Sequence, residues 1–219
     1  MGTTMHKDIA SAYYNSMSNI VSVACDAIRA NDKHTYMFDY LKKVNLPTIE
    51  VFDFATSTYH THKVYGIVLD DPTYDGITAS FIINGNKKIF FELAEFNSCI
   101  GVWLEVVNHE RKRQLVSKFI NACGLVIETA KSVLMNNNLS FCFDYLNDND
   151  YYYDERPDAI ICENGELKRN GVITNLKLSN NNSVVLVNEF GVETNISQLP
   201  LWAFMPSLIE SIYPSYAFD

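Results

Sequence analysis

The sequence predicts an α+β fold: long amphipathic helices with an antiparallel sheet, followed by a small β-meander or barrel-like module and a terminal helix. Three observations predict it. Apolar residues recur at three- and four-residue steps over residues 7–30 and 115–133, the period of one helix face. Between them, apolar and polar residues alternate around Asn84-Gly85-Asn86-Lys87, the pattern of a strand hairpin. Beyond residue 158, short apolar runs are punctuated by Asn-Gly turns.

The first helix is expected over residues 7–30, with Ile9, Tyr13, Met17, Ile20, Ala24 and Ile28 on one stripe. Thr4 suits its N-cap, and Asp8 in the first turn suits the helix dipole. A second helix is expected over residues 33–44, presenting Met37, Tyr40, Leu41 and Val44, with Pro47 forbidding continuation. Strands follow at 49–54, 63–69, 77–83 and 88–93. Helical spacing returns in Leu93, Phe96, Ile100, Leu104 and Val107, then in Leu115, Phe119, Ala122, Val126, Ala130 and Val133, with Asn108 between them. A strand at 139–145 closes an α+β domain of residues 1–146. The acidic, aromatic run 147–158 (NDNDYYYDERPD) reads as a linker. Residues 159–219 read as the β module, with strands at 159–163, 167–178, 184–188 and 192–196. Its closing helix spans 201–213, and Pro206 is expected to kink or subdivide it.

The chain has 219 residues, 47% of them hydrophobic, enough for one substantial core or two unequal ones. A formal net charge of -9 repels phosphate backbones and argues against general nucleic-acid binding. The one tight basic group, Arg111-Lys112-Arg113, follows Glu110. The five cysteines, at 25, 99, 123, 142 and 162, are odd in number and never form a CxxC pair. A disulfide framework or zinc site is therefore not expected, and a reducing compartment is. No apolar segment follows the charged start as a signal peptide requires, and every apolar stretch is broken too early to span a membrane.

Several groups resemble chemical sites. Pro157-Asp158 with Glu166-Leu167-Lys168 is similar to the PD-(D/E)xK pattern of metal-dependent nucleases, in which two carboxylates hold Mg²⁺ and a lysine orients water. If Asn164-Gly165 turns a tight hairpin, however, Glu166 lies opposite Glu163 and Asp158 near Gly171. The acids then stand about five residues apart at roughly 3.3 Å each, too far for one ion. His60-Thr61-His62 on a strand would point two imidazoles the same way, with Asp53, Asp70 or Asp71 available as a third ligand. A solvated loop or strand end is the preferred reading there. The run from Asp70 to Gly76 has the composition of an ordinary turn. Asp148 and Asp150 open like a calcium loop, but Tyr153 and Ala159 stand where glycine and glutamate belong. No GxSxG elbow, P-loop, GxGxxG or HExxH occurs, so neither a cofactor nor a catalytic residue is assigned. Cys–His catalysis stays open, because such partners meet only in space.

Three consecutive aromatics, Tyr151, Tyr152 and Tyr153, cannot all be buried on one face, and exposed tyrosine suits contact surfaces. A loop folding its rings onto its own domain is the equal alternative. The chain is rich in Asn, with runs at 136–138 and 180–182. Its ending, VVLVNEFGVETNISQLPLWAFMPSLIESI (184–212), resembles the strand–turn–strand–helix close of many uncharacterised proteins of Bacteroidetes and their crAss-like phages, departing from it at Pro206. The resemblance implies a virion or assembly component, such as a ring or adaptor protein of the portal–tail neck, in the virion or host cytoplasm. The expectation is thus a non-enzymatic structural protein that pairs with itself and other assembly proteins through Tyr151, Tyr152, Tyr153, Trp202 and Phe204. The alternatives are the nuclease using Asp158, Glu166 and Lys168, or a small inhibitor or binding protein for a host factor, for which the net charge of -9 suits a basic partner.

Overall fold

The first amphipathic stripe forms helix α1, Gly2–Arg29, in the computed structural model, which describes residues 2–31, 33–39, 41, 45–71, 78–143 and 157–213. Tyr13, Met17, Ile20, Ala24 and Ile28 are all buried, as their spacing requires. The helix begins before Thr4, which is therefore inside it rather than capping it. The fold is α+β, and by internal packing the chain divides into two compact units. One comprises Tyr14–Ile120; the other comprises Met1–Tyr13 with Asn121–Asp219. The expected linker, residues 147–158, lies almost wholly outside the described residues.

The unit Tyr14–Ile120 holds strands β1 (Thr35–Met37), β2 (Thr48–Asp53), β3 (Thr58–Lys63), β4 (Gly66–Leu69), β5 (Ala79–Ile82) and β6 (Lys88–Phe90). Four of them form an antiparallel sheet in the order β1-β4-β5-β6. The helix expected over 33–44 is corrected here: residues 35–37 pair with β4, Tyr36 opposite Ile67. Thr and Tyr favour strands, and the otherwise open edge of β4 accepts them as a ladder. The approach is close, because a Cβ on Gly66 would stand 2.6 Å from Met37 Sδ and 2.7 Å from the Tyr36 carbonyl oxygen. Asn84–Asn86 forms a single 3₁₀ turn between β5 and β6, with Asn86 at φ 59°.

The long helical stripe expected from Leu93 is also shortened. Phe91–Leu93 and Phe96–Cys99 are 3₁₀ turns, and helix α2 covers only Ile100–Val106. Tertiary hydrogen bonds intervene: Ala94 bridges Val51, and the Glu95 amide donates to the Glu50 carbonyl at 2.9 Å. The core of this unit centres on Phe81 and Trp103, both fully buried, with ring centroids 5.7 Å apart; Phe91 stands edge-on to Trp103 at 5.5 Å. Helix α3, His109–Asn136, starts as its spacing predicts, Asn108 Oδ1 accepting the Arg111 amide at 3.0 Å as a cap.

The other unit contains β7 (Ser140–Cys142), β8 (Asp158–Glu163), β9 (Glu166–Leu178), β10 (Val184–Asn188), β11 (Glu193–Asn195) and helix α4 (Leu201–Ile212). The long strand β9 pairs with β8 along its first half and with β10 and β7 along its second, all antiparallel. Asn164 at φ 53° and Gly165 at φ 83° make the tight turn that puts Glu163 opposite Glu166. Helix α4 runs through Pro206 without being subdivided. Its residues from Ala203 to Ile212 are buried except Pro206, and this burial outweighs the roughly 3 kcal/mol that an interior proline costs. Among the described residues, no helix is long and apolar enough to cross a membrane.

Candidate functional site

Register decides the geometry of the nuclease-like trio. Asp158 pairs with Val172 and Glu163 with Glu166, so Asp158 and Glu166 sit at opposite ends of the β8–β9 ladder. Asp158 and Lys168 have partners other than those metal chemistry needs. Arg169 NH2 lies 2.7 Å from Asp158 Oδ1, and Lys168 Nζ lies 2.8 Å from Glu163 Oε2. Burial pushes the Asp158 carboxyl above its ordinary pKa, while Arg169 pulls it back. The Glu163 hydrogen bond and charge raise the Lys168 pKa, holding that amine protonated. Sequence spacing alone did not reveal Arg169: directly opposite Ile160, it reaches Asp158 because the β8 register shifts between Asp158 and Ile160.

The histidine pair lies within strand β3, with His60 exposed and His62 half-buried. In the β2–β3 hairpin Val51 stands opposite His60, Ile49 opposite His62 and Asp53 opposite Thr58, so Asp53, His60 and His62 share one face. His60 Nε2 is 3.4 Å from Asp53 Oδ2 and 3.4 Å from Thr58 Oγ1. Both contacts fall on the same ring nitrogen, which differs from a hydrolase triad, where acid and nucleophile take opposite nitrogens. Ala55 N donates to Asp53 Oδ1 at 2.9 Å and Thr56 Oγ1 to Asp53 Oδ2 at 3.0 Å. Those bonds, chiefly, hold the Asp53 carboxyl below its usual pKa. Burial lowers the His62 pKa, and repulsion from His60 lowers it further. On the opposite face, Thr61 Oγ1 donates to both Glu50 carboxylate oxygens, at 2.9 and 3.1 Å.

The remaining acids serve the fold. Asp70 accepts Ser80 Oγ at 2.6 Å and lies 3.6 Å from Lys88 Nζ, while Asp71 N donates to Thr78 Oγ1 at 3.1 Å. The rest of that turn, residues 72–77, lies outside the described residues, as do the calcium-like run and Tyr151, Tyr152 and Tyr153. Phe204 is 7% exposed, so its ring belongs to the core and offers little surface; Trp202 is half-buried. Cys25, Cys99 and Cys123 are buried, and burial raises their thiols to about 11, 12 and 11, which keeps them protonated at neutral pH. Cys142 and Cys162 are exposed. A shallow open cleft at the start of α3 is lined by Asn108, Glu110, Arg111 and Gln114. Among the described residues, no group of three or more His, Cys, Asp or Glu side chains could hold a metal ion. Comparison with known proteins finds no matching family model, no matching curated protein and no matching solved structure.

Proposed function

We propose that this chain is a non-enzymatic structural or assembly protein, a virion component of the kind that forms a ring or adaptor at a portal–tail neck. Its partners on this reading are copies of itself and other assembly proteins, met in the virion or the host cytoplasm, rather than nucleic acid at large or a membrane. The observation that carries the reading is the set of large apolar side chains left in water. Phe54 and Leu41 are each 84% exposed, Phe190 68%, Leu93 62% and Phe90 58%. A single exposed Leu needs no explanation, but Phe is enriched where protein interfaces form. Phe54 is also held in place: its ring meets Phe52 edge-on at 4.9 Å, and the hydrogen bonds of Asp53 fix the turn that presents it. An aromatic ring ordered before binding loses little entropy on docking. The likeness of residues 184–212 to the close of phage proteins supports the same reading.

Size-exclusion chromatography with light scattering tests it. Concentration-dependent oligomers are expected, and they should weaken in Phe54→Ser and Phe190→Ser variants that keep the native circular dichroism. A strictly monomeric chain at the highest attainable concentration overturns the proposal.

A further inference from the structure

The edge strand β6 carries backbone groups that the folded monomer leaves unused. Among the described residues it ends the four-stranded sheet, paired with β5 on one side and with no strand on the other. Register tells which groups face outward. The Ile83 amide donates to the Lys87 carbonyl at 2.8 Å, so Lys87 and Ile89 bond to β5, while Lys88 and Phe90 turn their amides and carbonyls away from it. An open edge of this kind is a template for another strand. Lysine on such an edge ordinarily discourages pairing, but Lys88 sends its Nζ back across β5 to 3.6 Å from Asp70 Oδ1. Its charge is thereby met within its own chain.

We propose that β6 is the edge through which two copies of this chain pair, antiparallel, about a two-fold axis at Ile89. The inference rests on the self-association proposed above and names its surface. In this register Lys88 of one copy lies opposite Phe90 of the other. The Lys88 amide donates to the Phe90 carbonyl of the second copy, the Phe90 amide of that copy donates to the Lys88 carbonyl, and symmetry repeats both bonds. Charge selects the pairing. The exposed Lys87 precedes the strand and the exposed Glu92 follows it, so antiparallel copies bring each basic end beside the other's acidic end. A parallel pair would set like charges together. Phe90 and Leu93, both exposed, come to the joint and supply the apolar area that a short ladder lacks. A two-fold contact is closed, so it consumes the edge and makes the dimer the unit of any larger assembly.

The backbone at Phe90 provides the test. Its φ of -62° and ψ of 140° already suit proline, and its amide makes no bond to β5, so Phe90→Pro spares the monomer while removing the intermolecular donor. Phe90→Ala loses the ring but keeps the donor. Sedimentation equilibrium of the untagged chain should show a dimer. Its dissociation constant should rise about tenfold further in Phe90→Pro than in Phe90→Ala, because the lost bond occurs twice per dimer. Circular dichroism checks that both variants are folded. Should Phe90→Pro fail to fold, Ile89→Cys in a Cys142→Ser/Cys162→Ser background gives a second reading, since residue 89 meets its own copy across the axis. Oxidation should cross-link it faster than Lys87→Cys in the same background. A folded Phe90→Pro that associates as the native chain does, weakening no greater than in Phe90→Ala, or cross-linking no faster at 89 than at 87 overturns the β6 pairing and leaves the assembly reading standing. A strictly monomeric native chain overturns both.

Discussion

The Glu189 carboxylate fills the space beside Gly171 that a side chain on residue 171 would need. A Cβ built on Gly171 would overlap Glu189 Oε1 and stand 2.9 Å from Phe190 Cε2. Glu189 Oε1 is held there because it accepts the Val172 amide at 3.2 Å. Gly171 has φ 77°, in the left-handed region, and the β9 ladder is irregular on both sides of it: β10 shifts register between Val187 and Asn188, β8 between Asp158 and Ile160. The nearly buried Asn188 ties the bend, its Nδ2 donating to the Asn170 carbonyl at 2.7 Å and its Oδ1 accepting the amides of Phe190 and Val192. One glycine thus lets a 13-residue strand change direction while its neighbours keep pairing.

Gly171→Ala is therefore expected to destabilise the chain by about 1–3 kcal/mol, combining left-handed strain with displacement of the exposed Glu189 side chain from the Val172 amide. Gly191, at φ 77° with open space around its missing Cβ, isolates the first cost. Gly191→Ala should lose only about 1 kcal/mol. Urea unfolding of both variants measures the difference, and equal losses would refute the packing argument.

Asp158 sets a pH dependence whose sign follows from its environment. Burial raises its folded pKa above the unfolded value near 3.8, the pull of Arg169 notwithstanding. A raised acid contributes stability that is full below the unfolded pKa and is lost as pH rises through the folded one. Asp158→Asn removes that loss. The unfolding temperature of the variant minus that of the native chain should therefore increase as pH climbs upward from about 4. Thermal melts at matched ionic strength check this, and a difference that falls with pH contradicts it.

The thiols should divide by position. Under native conditions at mildly alkaline pH, Cys142 and Cys162 should alkylate first, whereas Cys25, Cys99 and Cys123 wait for opening of the fold. Peptide mass spectrometry after timed iodoacetamide treatment reads the order. Early labelling of Cys99, whose thiol is raised to about 12, would contradict the burial described.

Much of the fold was legible because it depends on neighbours in the chain. The stripe in α1, the break at Asn108, the turn at Asn164-Gly165 and the run Val184–Asn188 rest on periodicity or turn chemistry that spans a few residues. The Asn164-Gly165 turn even sets Glu163 against Glu166, so the separation of the nuclease-like acids followed before any coordinates.

Residues 33–44 failed for the opposite reason. Their spacing fits a helix, yet Thr35–Met37 joins β4, because an open strand edge thirty residues away offers hydrogen bonds that local propensity cannot outweigh. The same holds for the partners of the charged groups. The residue types and their strand period were in the sequence; that Asp158 meets Arg169 through a register shift, and that Asp53 meets His60 across a hairpin, was decided by pairing alone. Local chemistry sets which conformations each segment prefers. Hydrogen-bonded edges and buried volume, supplied by distant residues, choose among them.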